Sequence, residues 1–162
     1  WVLLLYFQKS SFGAFFSGRL SGLRLVCPIV KGPFIQTQEQ VMFYDTDAAG
    51  VVHNISYLRF IEKNRTLLGS ELGLDYKEMA GSGIYGALLR IEIDYLRPGR
   101  LGEDLQVSGW LEEATKVKFW CRFEIHRAED SELLVTSRQE LALVKMPEGK
   151  PTRLPAEWGK YI

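Results

Sequence analysis

No apolar run in this chain reaches the roughly 20 residues that a membrane-crossing helix needs, because Lys9, Arg19 and Arg24 interrupt its most hydrophobic stretch. A transmembrane helix is excluded on that ground. Charge of one sign is also lacking: 20 basic and 20 acidic side chains cancel, leaving no basic excess to meet a nucleic-acid backbone. Histidine and cysteine are scarce. With only His53 and His126, and with Cys27 and Cys121 far apart and outside any CxxC pair, the donors for a zinc site are missing. No metal or other cofactor is expected, and two lone thiols fit a reducing compartment, read here as cytoplasmic.

Acidic residues are absent from the first 38 positions, which carry Lys9, Arg19, Arg24 and Lys31. Basic, serine-containing, acid-free composition resembles an organellar transit segment, and a tag remnant or translated upstream sequence would look the same. Residues 1–35 are therefore set apart as an extension, with organellar import following if they are a transit segment. The remaining length and 46% hydrophobic content fit one domain, residues 36–147, followed by a tail at 148–162.

Within that domain, Val41 and Phe43 alternate with polar neighbours, so residues 36–44 read as a strand delivering the chain to the segment Tyr44-Asp45-Thr46-Asp47-Ala48-Ala49-Gly50. A helix follows. Leu58, Ile61, Leu68 and Leu72, widened by Tyr57 and Phe60, form one apolar stripe, with Asn54 or Ser56 as candidate cap and Gly73 as the stop. Residues 74–83 read as a connection. Alternation then predicts strands at 88–95, 104–112, 117–126 and 133–146, with Leu89, Ile91, Ile93 and Tyr95 sharing one face of the first. Strand, long helix and four antiparallel strands make an α+β plan in which a sheet wraps around one helix. Trp110 and Trp120, on nominally outward faces, suggest where subunits pair.

Two aspartates, a glycine turn and a helix start within twenty positions describe an active-site loop. Asp47 is placed to attack or polarise a carbonyl, and its alternative role is an Asx-turn residue shaping the loop. The turn at Gly50 and the amides of Val52, His53 and Asn54 can supply oxyanion donors at a helix N-terminus. His53 is a candidate to orient Asp47 or to contact substrate; a polar spacer is its alternative. Tyr57 presents a hydroxyl or simply packs. Glu62 positions water or stands solvated on the helix.

The segment Tyr44 to Asn54, followed by Tyr57-Leu58-Arg59-Phe60 and Glu62, resembles the hotdog-fold acyl-CoA thioesterases, in particular the 4-hydroxybenzoyl-CoA thioesterase family and its Tol-Pal-associated bacterial relatives. Tyr95-Leu96-Arg97-Pro98 and Leu101-Gly102-Glu103-Asp104-Leu105 extend the match, which covers residues 36–147. The resemblance implies the hotdog fold: an antiparallel sheet of about five strands around one long central helix. It also implies dimers joined edge to edge, often paired into tetramers, with active sites between subunits. By the same resemblance Asp47 is the catalytic carboxylate, Asp45 is structural, and Glu62 occupies a position that often bears a carboxylate. Some relatives carry histidine where this chain has Asn54. An acyl-CoA substrate needs basic residues for its phosphates, and Arg90, Arg97, Arg100 and Lys118 are the candidates. Two other readings stand beside this one. A hotdog hydratase or dehydratase is disfavoured because no His-Phe-Pro occurs, and a non-catalytic acyl-thioester-binding module is disfavoured by the intact Asp47 loop.

Overall fold

The computed structural model describes residues 32–161. Its elements are β1 (Phe34–Gln40), α1 (Asn54–Glu71), α2 (Tyr76–Ser82), β2 (Ile84–Tyr95), β3 (Asp104–Ala114), β4 (Lys118–Arg127), β5 (Leu133–Lys145) and β6 (Lys150–Pro151). The strands form one antiparallel sheet in the order β1-β3-β4-β5-β2, with β6 beside β5. This sheet curls around α1 as the hotdog fold requires.

Helix α1 lies in the sheet because its apolar stripe has nowhere else to go. Tyr57, Phe60, Ile61 and Leu68 are buried against Leu105, Val107, Phe123, Ile125 and Val135 from three strands. Each such side chain contributes about 1.5–3 kcal/mol on leaving water. One polar residue fixes the helix's height on the sheet. Asn64, fully buried, donates through Nδ2 to Ile35 O (3.2 Å), Thr37 Oγ1 (3.3 Å) and Val107 O (3.0 Å). Gly109 makes room for it, since a Cβ there would sit 2.1 Å from Asn64 Oδ1. Past Leu72 the chain turns at Gly73, whose φ of +78° suits the glycine expected there, and Leu74 N–H closes on Gly69 O at 2.8 Å.

Four expectations are corrected. The first strand ends at Gln40; Val41 turns into the core, and Phe43–Asp45 form a single 3-10 turn that leaves Phe43 in solvent. The connection at 74–83 contains the short helix α2, capped by Asp75 through Lys77 N–H (2.8 Å). In β2 the pairing with β5 slips between Leu88 and Arg90, so Leu89 is a bulge and Leu88 joins Ile91, Ile93 and Tyr95 on the inner face. Trp110 is buried because Phe34 stacks on it (6.2 Å between centroids), and Arg138 covers Trp120 at 4.2 Å. Neither tryptophan offers the exposed patch that the sequence suggested.

Within the tail at 148–162, the described residues reach back onto the core. Leu154 and Trp158 are buried, and Trp158 Nε1 donates to Leu72 O (3.0 Å) at the end of α1 while its ring packs edge-on against Phe119. Of the extension at 1–35, positions 1–31 and hence Cys27 lie outside the described residues. Among the described residues no helix is long and apolar enough to cross a membrane.

Candidate active site

The loop before α1 is held by its own backbone. Asp47 N–H donates to Val51 O (3.0 Å) and Gly50 N–H to Asp47 O (3.0 Å), closing a tight turn in which Gly50 has a φ of +71°. Asp45 anchors the loop from below. Almost fully buried, it accepts from Met42 N–H (3.0 Å) and from the Arg59 guanidinium, while its carbonyl takes the His53 N–H (2.8 Å). That is the structural role the resemblance implied for Asp45.

Asp47 stands in solvent at the turn. Its Oδ1 accepts from Ala49 N–H (2.8 Å), an Asx-turn, and its second oxygen makes no bond among the described residues. The loop-shaping reading of Asp47 is met by this one oxygen. Around it, a cleft of about 460 Å³ is lined by Val52, His53, Asn54, Tyr57, Tyr95, Leu96, Arg97 and Pro98.

Three of the four candidate oxyanion amides are already committed. Gly50 N–H goes to Asp47 O, His53 N–H to Asp45 O, and Val52 N–H to Gly99 O at 2.9 Å. A donor spent on a backbone carbonyl in the resting fold is not available to a developing oxyanion. Asn54 is different. It is the first residue of the 18-residue α1, its N–H has no acceptor among the described residues, and it lines the cleft. The helix dipole, worth about half a positive charge, adds to that amide.

His53 rather than Asn54 or Ser56 caps α1: its Nδ1 accepts from Ile55 N–H (3.2 Å). With Nδ1 taken up at the cap, Nε2 is the ring nitrogen left for other partners, and His53 lines the cleft. Tyr57 is buried and its hydroxyl accepts from Gly99 N–H (2.7 Å), with burial raising its pKa above the usual tyrosine value. It pins the turn at Gly99 to the loop at Val52. Tyr95, absent from the sequence's site residues, enters the cleft from the end of β2, packs 5.8 Å from Tyr57, and donates to Asn54 O at 3.4 Å. Its alternation pattern made it look like ordinary core.

Glu62 does not join Asp47. It lies two turns further along α1, paired with Arg65, at a separate cavity of about 120 Å³ lined also by Leu68, Leu72, Met79, Leu88 and Phe119. Of the four basic candidates, only Arg97 lines the Asp47 cleft. Arg90 pairs with Glu92 (2.9 Å) and Lys118 with Glu140 (3.1 Å) on the outer face of the sheet, and Arg100 lies outside the cleft lining.

Asp47, with one oxygen unbonded, and Asn54, with its amide unpaired, thus line one cleft on a hotdog sheet. The chain belongs to the thioesterase-like superfamily, which it matches over residues 41–160. It is 31% identical over 127 residues to a 1,4-dihydroxy-2-naphthoyl-CoA hydrolase from Synechocystis, covering 77% of this chain and 91% of that one. Among solved structures, a 1,4-dihydroxy-2-naphthoyl-CoA thioesterase from Synechocystis superposes with a TM-score of 0.71 at 27% identity, covering 80% of this chain and 96% of the other. A thioesterase for the same acyl group from Staphylococcus aureus gives a TM-score of 0.71 at 26% identity, with 79% and 87% covered.

Proposed function

We propose that this chain hydrolyses an acyl- or aroyl-CoA to the free acid and CoA, with Asp47 as nucleophile or general base and the Asn54 N–H as the oxyanion donor. One observation carries the reading. The uncommitted oxygen of Asp47 and the unpaired amide of Asn54 share a cleft, while the other candidate donors, the amides of Gly50, Val52 and His53, are already bonded. Water adds across the thioester carbonyl, the oxygen charge that develops is met by Asn54 N–H, and the C–S bond breaks as the sulfur leaves to become the CoA thiol. His53 Nε2–H stands at the same cleft as a further donor to the substrate. Arg97, exposed at the rim, meets the anionic phosphates of CoA.

The relatives that act on a naphthoyl thioester support an aromatic acyl group. The outer edge of β2, unpaired among the described residues, supports a homodimer joined through that edge, with tetramers formed from such dimers. A thiol-release assay over aromatic and aliphatic CoA esters tests the reading. Turnover of at least one aroyl-CoA is expected, whereas calorimetric binding of CoA esters with no thiol released from any of them would make the chain a binding module.

A further inference from the structure

Arg127, at the end of β4, gathers three carboxylates. Its Nε lies 3.2 Å from Glu103 Oε1, and its Nη1 lies 2.8 Å from Asp130 Oδ2 and 2.7 Å from Glu132 Oε2. Only 16% of the Arg127 side chain and 22% of the Glu103 side chain are exposed, so water and salt screen this pair poorly. Arg127 does not line the Asp47 cleft. With Glu103 it lines a separate hollow of about 570 Å³, and its connection to the cleft runs through the backbone.

Glu103 is the first link. Its Oε2 accepts from Arg100 N–H (2.9 Å) and its own N–H donates to Arg100 O (3.1 Å), which closes the turn from 100 to 103. This turn backs the catalytic loop. Val51 and Arg100 form a β-bridge, Val52 N–H donates to Gly99 O (2.9 Å), and Gly99 N–H donates to the Tyr57 hydroxyl (2.7 Å). Val51 and Val52 lie between Asp47 and the first residue of α1, so the bonds they make fix where the carboxylate stands relative to the Asn54 amide. Loss of Arg127 leaves Glu103 charged, mostly buried and without this cation. The carboxylate then regains solvation by turning to water, which releases Arg100 N–H.

We infer that Arg127 is a positioning residue for the thioester chemistry: it holds Glu103 on the 100–103 turn, and that turn holds Val51 and Val52, which set Asp47 against Asn54. This rests on the proposed thioester hydrolysis. A displacement of about 1 Å at reacting groups, caused by a change far from them, can cost about a hundredfold in rate.

A rescue experiment tests the inference. Arg127→Ala, in protein that circular dichroism shows to be folded, should lose about tenfold to a hundredfold in kcat with KM within about threefold of the parent. Adding Glu103→Gln should restore it. Glutamine keeps an oxygen for Arg100 N–H but carries no charge and needs no cation, so the double variant should return to within about threefold of the parent's kcat. Independent losses of ion pairs would accumulate instead, so a double variant no faster than Arg127→Ala overturns the inference. Arg127→Ala with the parent's kcat, or with a change in KM alone, overturns it too. Asp130→Asn removes the charge of another of the three carboxylates without touching the turn, and it should keep the parent's kcat. A fall equal to that of Arg127→Ala would show a general loss of structure and sink the inference. Hydrogen exchange at Val52 N–H, followed by NMR, reads the same link without substrate. It should quicken at least about tenfold in Arg127→Ala and return to the parent's rate in the double variant. Unchanged exchange refutes the link even where kcat falls. If the parent releases no thiol from any CoA ester, the hydrolysis reading fails and the claim on chemistry falls with it, while Val52 exchange still decides whether Arg127 holds the loop.

Discussion

Replacing Asn54 by proline removes one hydrogen-bond donor and little else. Asn54 is the first helical residue of α1, where proline's fixed φ is already suitable and no intrahelical bond is lost. The residue before it is equally prepared: His53 has φ −64° and ψ 141°, inside the extended region that a following proline demands. The perturbation is therefore confined to the amide at the cleft. Loss of one oxyanion donor typically costs a hundredfold to a thousandfold in kcat, or about 2.7–4 kcal/mol of transition-state stabilisation. Asn54→Pro should lose that much kcat with KM for the CoA ester little changed, while Asn54→Ala, which keeps the N–H, should stay near wild type. Thermal unfolding of both should lie close to that of the parent. If Asn54→Pro turns over as fast as Asn54→Ala, the oxyanion is stabilised elsewhere and the assignment is wrong.

Tyr57→Phe should act on stability more than on chemistry, because it leaves the Gly99 N–H buried without its acceptor, a loss of about 1–3 kcal/mol. Calorimetry should show Tm lower by about 2–12 °C at roughly 2–4 °C per kcal/mol, with kcat reduced less than about tenfold. A hundredfold fall in kcat at unchanged Tm would mean that the hydroxyl works on substrate. Burial raises the Cys121 thiol from its ordinary value of 9.0 to about 12, so the folded state keeps a proton that the unfolded state has released. Stability should accordingly be intact below pH about 9 and fall as pH rises towards 12, a slope that denaturant titrations of Cys121→Ala should flatten. An equal slope in both proteins would contradict the burial argument.

The parts of the fold set by local periodicity were legible. Alternation located β3, β4 and β5, and the spacing of Tyr57, Ile61 and Leu68 marked the buried face of α1. Features that depend on pairing were hidden. The bulge at Leu89 shifts face parity within β2, and only the register against β5 exposes it. Trp110 alternates outward yet is covered by Phe34, a residue 76 positions earlier whose partnership no local pattern announces. At the site, the residue types and order marked the loop, and the family resemblance singled out Asp47 within it. Which amides remained available was not readable, since Gly50, Val52 and His53 donate to carbonyls that the fold brings to them. Glu62 was nominated through the family resemblance, but two helical turns carry it from the Asp47 cleft to another cavity.

The carboxylate of Asp47 is the centre of the account, and thiol release by Asp47→Asn tests it most directly. Asparagine keeps an oxygen able to accept from Ala49 N–H and so preserves the turn. With circular dichroism and Tm unchanged, kcat on a CoA ester that the parent hydrolyses should fall by at least about a hundredfold, within the range expected for losing a general base or nucleophile. A folded Asp47→Asn protein that releases CoA at the parent's rate would contradict the account.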